Sequence, residues 1–353
     1  MKADAITAEY RKRFLANQAT FQAQHLGLFD KVTKDIARMA NDPTVRLNKA
    51  FKFNKPTYNK IENIITDFHD KSLALNEYEI AQAWKLSGAK NDAITNEYLA
   101  GLTAVKGLNR EAYFLPNTKA LESFIAREHG TKTLSDRVWK IADQFRAEME
   151  AHLGIGIVNG DSASVISRRV RQYLKNPDAL FRRVRDKNGK LIASQAMIDN
   201  KPGTGVYNSS FKNAMRLTRS ETNMSFLASD NIRWSQLDMV IGIRVSLSGS
   251  HPHYNYVEIC EVLQGLYPKY YKFIGFHSQC LCSAVPELMP EKDFVAYLNG
   301  DNETLISNQI DVMPKNFITY AGAQFDKLSE KVAGKQPYWF RDNRKIINEV
   351  LGK

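Results

Sequence analysis

Residues 275–282 read GFHSQCLC. They hold Cys280 and Cys282, two of the chain's three cysteines, with His277 three positions before the first. The remaining cysteine, Cys260, stands upstream in VEICEVLQG. Zinc takes thiolate and imidazole ligands, four in a tetrahedron, and these residues offer three sulfurs and one nitrogen. The spacing His277-x-x-Cys280 lets a turn aim both side chains at one ion, and Cys280-x-Cys282 puts both sulfurs on one face of an extended segment. His251, His253 and Glu258 precede Cys260 and can substitute as ligands or hold the ligands in place. The pattern lacks the paired C-x-x-C knuckles of the commonest zinc sites. Two plainer readings stay open: reduced cysteines packed in a core, where this residue type is often found, and a disulfide from Cys260 to Cys280 or Cys282. The disulfide fits an odd cysteine count and a reducing compartment poorly.

Known catalytic spacings do not match. A zinc deaminase needs His-x-Glu followed by Pro-Cys-x-x-Cys, and neither occurs. His-Glu-x-x-His is also absent. A cysteine nucleophile three residues from His277 has no third group to orient the imidazole. The sequence therefore predicts no catalytic residue. The enzymatic alternative is a metal-dependent hydrolase or nuclease using His251, His253, Glu258 and His277.

The chain of 353 residues carries a net charge of +11, placed unevenly. Residues 165–220 contain thirteen Lys/Arg against three Asp, which is +10 in about a sixth of the length. Such local charge fits a polyanion or an acidic protein surface as partner, with Arg168, Arg169, Arg171, Arg182, Arg183 and Arg185 as the binding candidates. The plainer reading is a solvated basic linker. No helix-turn-helix or zinc-finger reading helix accompanies the charge, so any DNA contact is expected to be to the backbone. No apolar run approaches the roughly 20 residues that span a bilayer. The opening MKADAITAEYRKRF lacks the apolar stretch of a secretory signal, and the expected compartment is the cytoplasm.

The elements that must position these residues follow from periodicity. Phe14, Phe21, Leu28, Val32 and Ile36 mark an amphipathic helix over 4–40. NKPTYNK at 54–60 reads as a loop. Helices over 61–70 and 76–105 are expected, broken by the turn-like SGAKND at 87–92. Two more helices fill 117–153, parted by HGTKT at 129–133. GIGIVNGDSAS at 154–164 reads as a break, with Asp161 or Ser162 capping a helix over 163–175. Arg-Asp-Lys-Asn-Gly-Lys predicts a hairpin turn. NKPGTGVYNSS is glycine-rich, but no Gly-Lys-Ser/Thr follows as in a P-loop. Residues 206–238 form a long helix whose stripe contains Glu221, a carboxylate that needs a partner from another element. VIGIRVSLS at 240–248 alternates as a strand, and the last helix is expected near 315–332.

The order of these parts resembles the C-terminal domain of the phage Mu F-like minor head, or head morphogenesis, proteins. That pattern is an Arg-x-Glu on a long helix, a strand, a cysteine segment ending in Gly, and a closing His-Pro-x-Cys-x-Cys-x-x-x-Pro. Here the parts are LTRSETNMSF with Arg219 and Glu221 as a structural pair, VIGIRVSLS, HPHYNYVEICEVLQG with Cys260 and Gly265, and FHSQCLCSAVP with His277, Cys280, Cys282 and Pro286. The stretches LSDRVWK, RQYLKNPDALFRRVRD and PYWFRDN resemble a subgroup found in prophages and mobile elements of Bacteroides-type gut bacteria. The chain departs from the pattern at Val257, Ser278 and Leu281, where cysteine, proline and arginine are usual. The missing cysteine argues against a four-sulfur site and leaves open a Cys/Cys/Cys/His site or one completed by His251 or His253.

The resemblance implies an α+β protein: a mostly helical N-terminal region over 1–155, a basic connecting segment over 156–205, a small α+β Mu F-like domain over 206–290 with a long helix and short strands, and a helical tail over 291–353. It implies a structural virion protein made in the bacterial cytoplasm and carried inside the phage head. Portal and prohead proteins would be its partners, with non-specific contact to packaged DNA; the cysteine–histidine set by itself favours a structural zinc. The remaining alternative is a DNA-binding module with no capsid role.

Overall fold

A computed structural model of the chain describes residues 2–42, 47–48, 52–102, 109–177, 184–185, 187–189, 191–192, 206–248 and 257–353. His251, His253, Arg182 and Arg183 lie outside the described residues, as do 200–205 of the glycine-rich stretch; Arg185 is described by its backbone alone. The described residues are mostly helical, with one three-stranded antiparallel sheet and two short hairpins. Among the described residues no helix is long and apolar enough to cross a membrane.

Helix α1 (Lys2–Arg38) buries Phe14, Phe21, Val32 and Ile36 from the expected stripe. Helix α2 (Lys55–Gly101) replaces the expected loop at 54–60 and the expected turn at 87–92 with one unbroken helix. Asn54 Oδ1 accepts from the Thr57 N–H at 3.0 Å, which caps the helix start and leaves Pro56 in the first turn, where its missing N–H costs nothing. SGAKND reads as a turn because its residues are polar, yet Ser87, Lys90 and Asn91 are buried. Their polarity serves an internal network rather than solvent. Helices α3 (Thr118–Ala126) and α4 (Leu134–Val158) fall where expected, and α4 opens with a capping box between Thr133 and Asp136. GIGIV does not break α4: a Cβ on Gly156 would stand 2.4 Å from Ile166 Cδ1, so the glycine serves close packing against α5 (Ala163–Lys175). Ser162 caps α5.

The chain forms two compact units. One comprises Met1–Gln18, Tyr78–Thr131 and Arg219–Lys353; the other comprises Ala19–Glu77 and Lys132–Thr218. The units cut across the consecutive segments 1–155, 156–205, 206–290 and 291–353, because α1, α2 and α6 (Ser210–Ser235) each contribute to both. In the second unit Phe29, Phe68 and Phe145 pack with ring centroids 4.6 to 5.1 Å apart. Ile166, Val170 and Leu174 of α5 join that core, so 163–175 is a packed element rather than a connecting segment. A turn at residues 187–189 lies between β3 (Val184–Arg185) and its antiparallel partner β4 (Leu191–Ile192), after the β1 (Leu47–Asn48) and β2 (Lys52–Phe53) hairpin earlier in the chain.

The first unit is built around α6, whose residues 220–227 are all buried. Its sheet has the order β6 (Gly265–Pro268), β5 (Val240–Ser246), β7 (Ser283–Leu288). Ile243 and Val245 of β5 are buried as the alternation predicts, but a register shift between Val240 and Gly242 turns Ile241 out of the buried row. Pro286 lies on an edge strand, where proline is tolerated. Between β5 and β6 lies the short helix α7 (Ile259–Val262). The helices α8 (Glu291–Leu298), α9 (Asn302–Asn308), α10 (Lys315–Ser329), α11 (Tyr338–Arg341) and α12 (Arg344–Leu351) follow. Phe294, Phe317, Trp339 and Ile347 share one core cluster with the strands, so 291–353 is integral to this unit and not a tail.

Candidate metal centre

The cysteine segment 272–282 has little ladder pairing, and side chains take up its backbone groups instead. Asn231 of α6 donates to Phe273 O and accepts from the Phe273 N–H. Asn343 does the same for Lys272, at 3.0 and 2.8 Å. Gly275 then takes φ +105° with its Cα against Cys280; a Cβ there would lie 3.2 Å from Cys280 Cβ. His277 O accepts from the Cys280 N–H, closing a turn with Gln279 in the left-handed region at φ 60°. Such a conformation is uncommon for a side-chain-bearing residue. α6 holds it, since the Gln279 N–H donates to Ser220 Oγ and Arg219 reaches Gln279 Oε1 at 3.4 Å.

This turn, the residue before β7 and helix α7 bring Cys260, Cys280 and Cys282 together, all buried, with their sulfurs within 4.8 Å of one another. Cys260 Sγ lies 3.7 Å from Cys280 Sγ. That is far beyond the roughly 2.05 Å of a disulfide, and all three cysteines are free. Glu258, Cys260 and His277 form a second group within the same limit, so Cys260 belongs to both. His277 Nδ1 is 2.7 Å from Ser278 O, which can only accept, so Nδ1 carries the proton. Nε2 lies 3.0 Å from Cys260 Sγ. A neutral imidazole fixed by a backbone carbonyl is the form that ligates metals.

The electrostatics favour one ready thiolate. Hydrogen bonds from Cys260 and then Cys282 hold the Cys280 thiol well below its ordinary value. The hydrogen bond to Cys280 pushes Cys260 up. Cys282 receives a lowering hydrogen bond from Cys260, but Cys280 and burial together drive it upward. Three sulfurs this close ionise together only if a cation joins them. Arg11 of α1 is the nearby fixed charge: Nη2 donates to Leu281 O and Nη1 to Asn223 Oδ1, each at 2.9 Å. Burial pushes its guanidinium down to about 10, against the opposing pull of Cys280 and Cys282. Sequence reading missed Arg11. The signal was present, because Thr7, Arg11 and Gln18 interrupt the stripe that holds Phe14 and Phe21.

Three buried cysteines close together can bind a metal ion, and His277 and Glu258 stand beside them. Glu221 takes its partner from another element: Arg127 Nη2 lies 2.7 Å from Glu221 Oε2, while Arg219 serves the cysteine turn. Arg219 and Glu221 thus each reach a residue outside α6. Of the basic residues, Arg168 and Arg169 are exposed on α5, away from its buried Ile166, Val170 and Leu174. Arg169 pairs with Asp161, and Arg171 Nε donates to Ser167 O. No protein-family model matches the chain, and no curated protein or solved structure matches it.

Proposed function

We propose that the chain is a minor head protein of a phage, assembled into the prohead near the portal vertex, and that Cys260, His277, Cys280 and Cys282 hold a structural zinc. The observation that carries this reading is the gathering of the cysteine pattern: Arg219, β5, Cys260, Gly265 and the His277–Cys282 turn, spread along 219–282, all belong to one unit. These are the same parts, in the same order, that carry the resemblance to Mu F-like proteins. The sulfur spacing supports zinc. Two thiolates at about 2.3 Å from zinc, at a tetrahedral angle, stand about 3.8 Å apart, and Cys260 and Cys280 are 3.7 Å apart. A histidine ligand at about 2.0 Å would lie about 3.5 Å from each sulfur; His277 groups with Cys260 and Glu258 but not with Cys280 and Cys282, so its ring has to swing toward those two sulfurs to complete the set. Zinc in such a site crosslinks α7 to the β7 approach and so staples the sheet. The portal protein and other prohead components are the partners in this reading; exposed Arg168 is available to DNA phosphates, and Arg169 joins it by leaving Asp161.

The test is quantitative mass spectrometry of particles induced from a host strain, counting this chain against portal and major capsid protein. A few copies for each portal ring supports the reading. A chain absent from particles and abundant in the soluble cell fraction refutes it.

A further inference from the structure

The first unit has an open pocket of about 460 Å³ next to His277, within the size range of small-molecule sites. Its rim is basic. Lys327, Lys331 and Lys335 line it at steps of four residues, all exposed, and no Asp or Glu lines it with them. None of these lysines has an ion-pair partner among the described residues. Uncompensated like charges around a concave wall concentrate anions there. The wall itself is fixed by a backbone contact: a Cβ on Gly334 would stand 2.7 Å from Gly130 Cα. That contact sets His129 beside Lys335 on the rim.

A second observation is independent of the charge. Trp339 lines the pocket, is 2% exposed, and its indole N–H has no acceptor among the described residues. The indole nitrogen is itself shielded from solvent, so Trp339 gives the pocket an aromatic floor and no exposed donor. Tyr338 adds a half-buried ring on the same wall, 5.6 Å from the His129 ring centroid. Aromatic faces of this kind take planar rings by stacking.

We propose that this pocket binds a nucleoside phosphate, with the phosphate on Lys327, Lys331 and Lys335 and the base against Tyr338. The ligand is either a free nucleotide or the terminal nucleotide of a DNA strand, which offer the same chemistry. The site stands apart from the virion reading, and either can fail without the other.

Calorimetric titration of the full chain with thymidine 5′-monophosphate, thymidine, pyrophosphate and a 5′-phosphorylated oligothymidylate tests it. The monophosphate is expected to bind at least about tenfold tighter than thymidine and than pyrophosphate. The triple variant Lys327→Ala/Lys331→Ala/Lys335→Ala, at exposed positions and expected to melt like the wild type, should weaken monophosphate binding by about tenfold or more. Tighter binding of the oligothymidylate through the same lysines identifies a strand end, and equal binding identifies a free nucleotide. Thymidine binding as well as its monophosphate, pyrophosphate binding as well as the nucleotide, or an unaffected triple variant would each overturn the proposal.

Discussion

Lys90 and Asp230 are both 0% exposed, with Nζ and Oδ2 2.5 Å apart. Ser87 Oγ and Asn91 Nδ2 donate to Oδ1 at 2.6 and 2.8 Å, and Trp234 Nε1 donates to Asn91 Oδ1 at 2.8 Å. The rings of Phe226 and Trp234 stand 4.8 and 5.1 Å from Nζ. Burial lowers the pKa of Lys90, and only the adjacent carboxylate opposes it. Lys90→Met removes the cation at little change of volume and strands the carboxylate. Removing one partner of a buried ion pair costs about 3–5 kcal/mol. An independent bound agrees: protonating a carboxylate of ordinary pKa at pH 7 costs about 4 kcal/mol, falling by about 1.4 kcal/mol for each pH unit lowered. Urea denaturation followed by Trp fluorescence should therefore show a loss of about 4 kcal/mol at pH 7 and about 1–2 kcal/mol at pH 5. Adding Asp230→Asn, which keeps an acceptor for Ser87 and Asn91, should restore most of the loss. A single variant that loses less than about 1 kcal/mol, or a double variant no better than the single, would refute the idea that the pair is held by mutual neutralisation.

Gly275→Ala forces a Cβ at φ +105° to within 3.2 Å of Cys280 Cβ, so it should destabilise the first unit by about 1–3 kcal/mol and lower metal content together, read by melting and elemental analysis. Burial pushes Glu148 up to about 7, despite hydrogen bonds from Ser210 and Gln144. Its folded value exceeds its unfolded one, so the stabilisation is full below about pH 4.5 and is lost as pH rises through 7. Glu148→Gln should remove that slope between about pH 5 and pH 8, measured by urea denaturation across that window. If the basic segment contacts about six phosphates, DNA affinity should fall with salt at a log–log slope of roughly −5, and Arg168→Ala/Arg169→Ala should reduce that slope by about 2.

Much of the fold was legible where one face of an element meets one core. The stripe of α1, the paired helices α3 and α4, the Ser162 cap, the β3–β4 turn and strand β5 all follow from local pattern. The misreadings share a cause. SGAKND and GIGIV carry turn-like residues inside helices, because buried polar contacts and close helix packing need those same residue types. That demand comes from distant chain, Asp230 for the first and Ile166 for the second. The interleaving of the two units is equally invisible in sequence, since a long amphipathic helix reads the same whether it serves one core or two. At the candidate site the ligand types were readable from Cys260, His277, Cys280 and Cys282 alone. Their clamps were not: Asn231 and Asn343 act on backbone groups, and sequence gives no sign of which backbone a side chain will meet, while Arg11 showed only as an interruption of the α1 stripe.

The account rests on one ion joining Cys260, His277, Cys280 and Cys282. Zinc content of the full chain, purified without chelators and measured by elemental mass spectrometry alongside the Cys280→Ser variant, tests it most directly. The account predicts one zinc for each wild-type chain. In Cys280→Ser it predicts little or none, with the first unit unfolded, since structural zinc contributes on the order of 10 kcal/mol or more. A wild-type chain that is folded without zinc, and a Cys280→Ser variant that loses only about 1–2 kcal/mol, would contradict it and leave the three thiols as ordinary core.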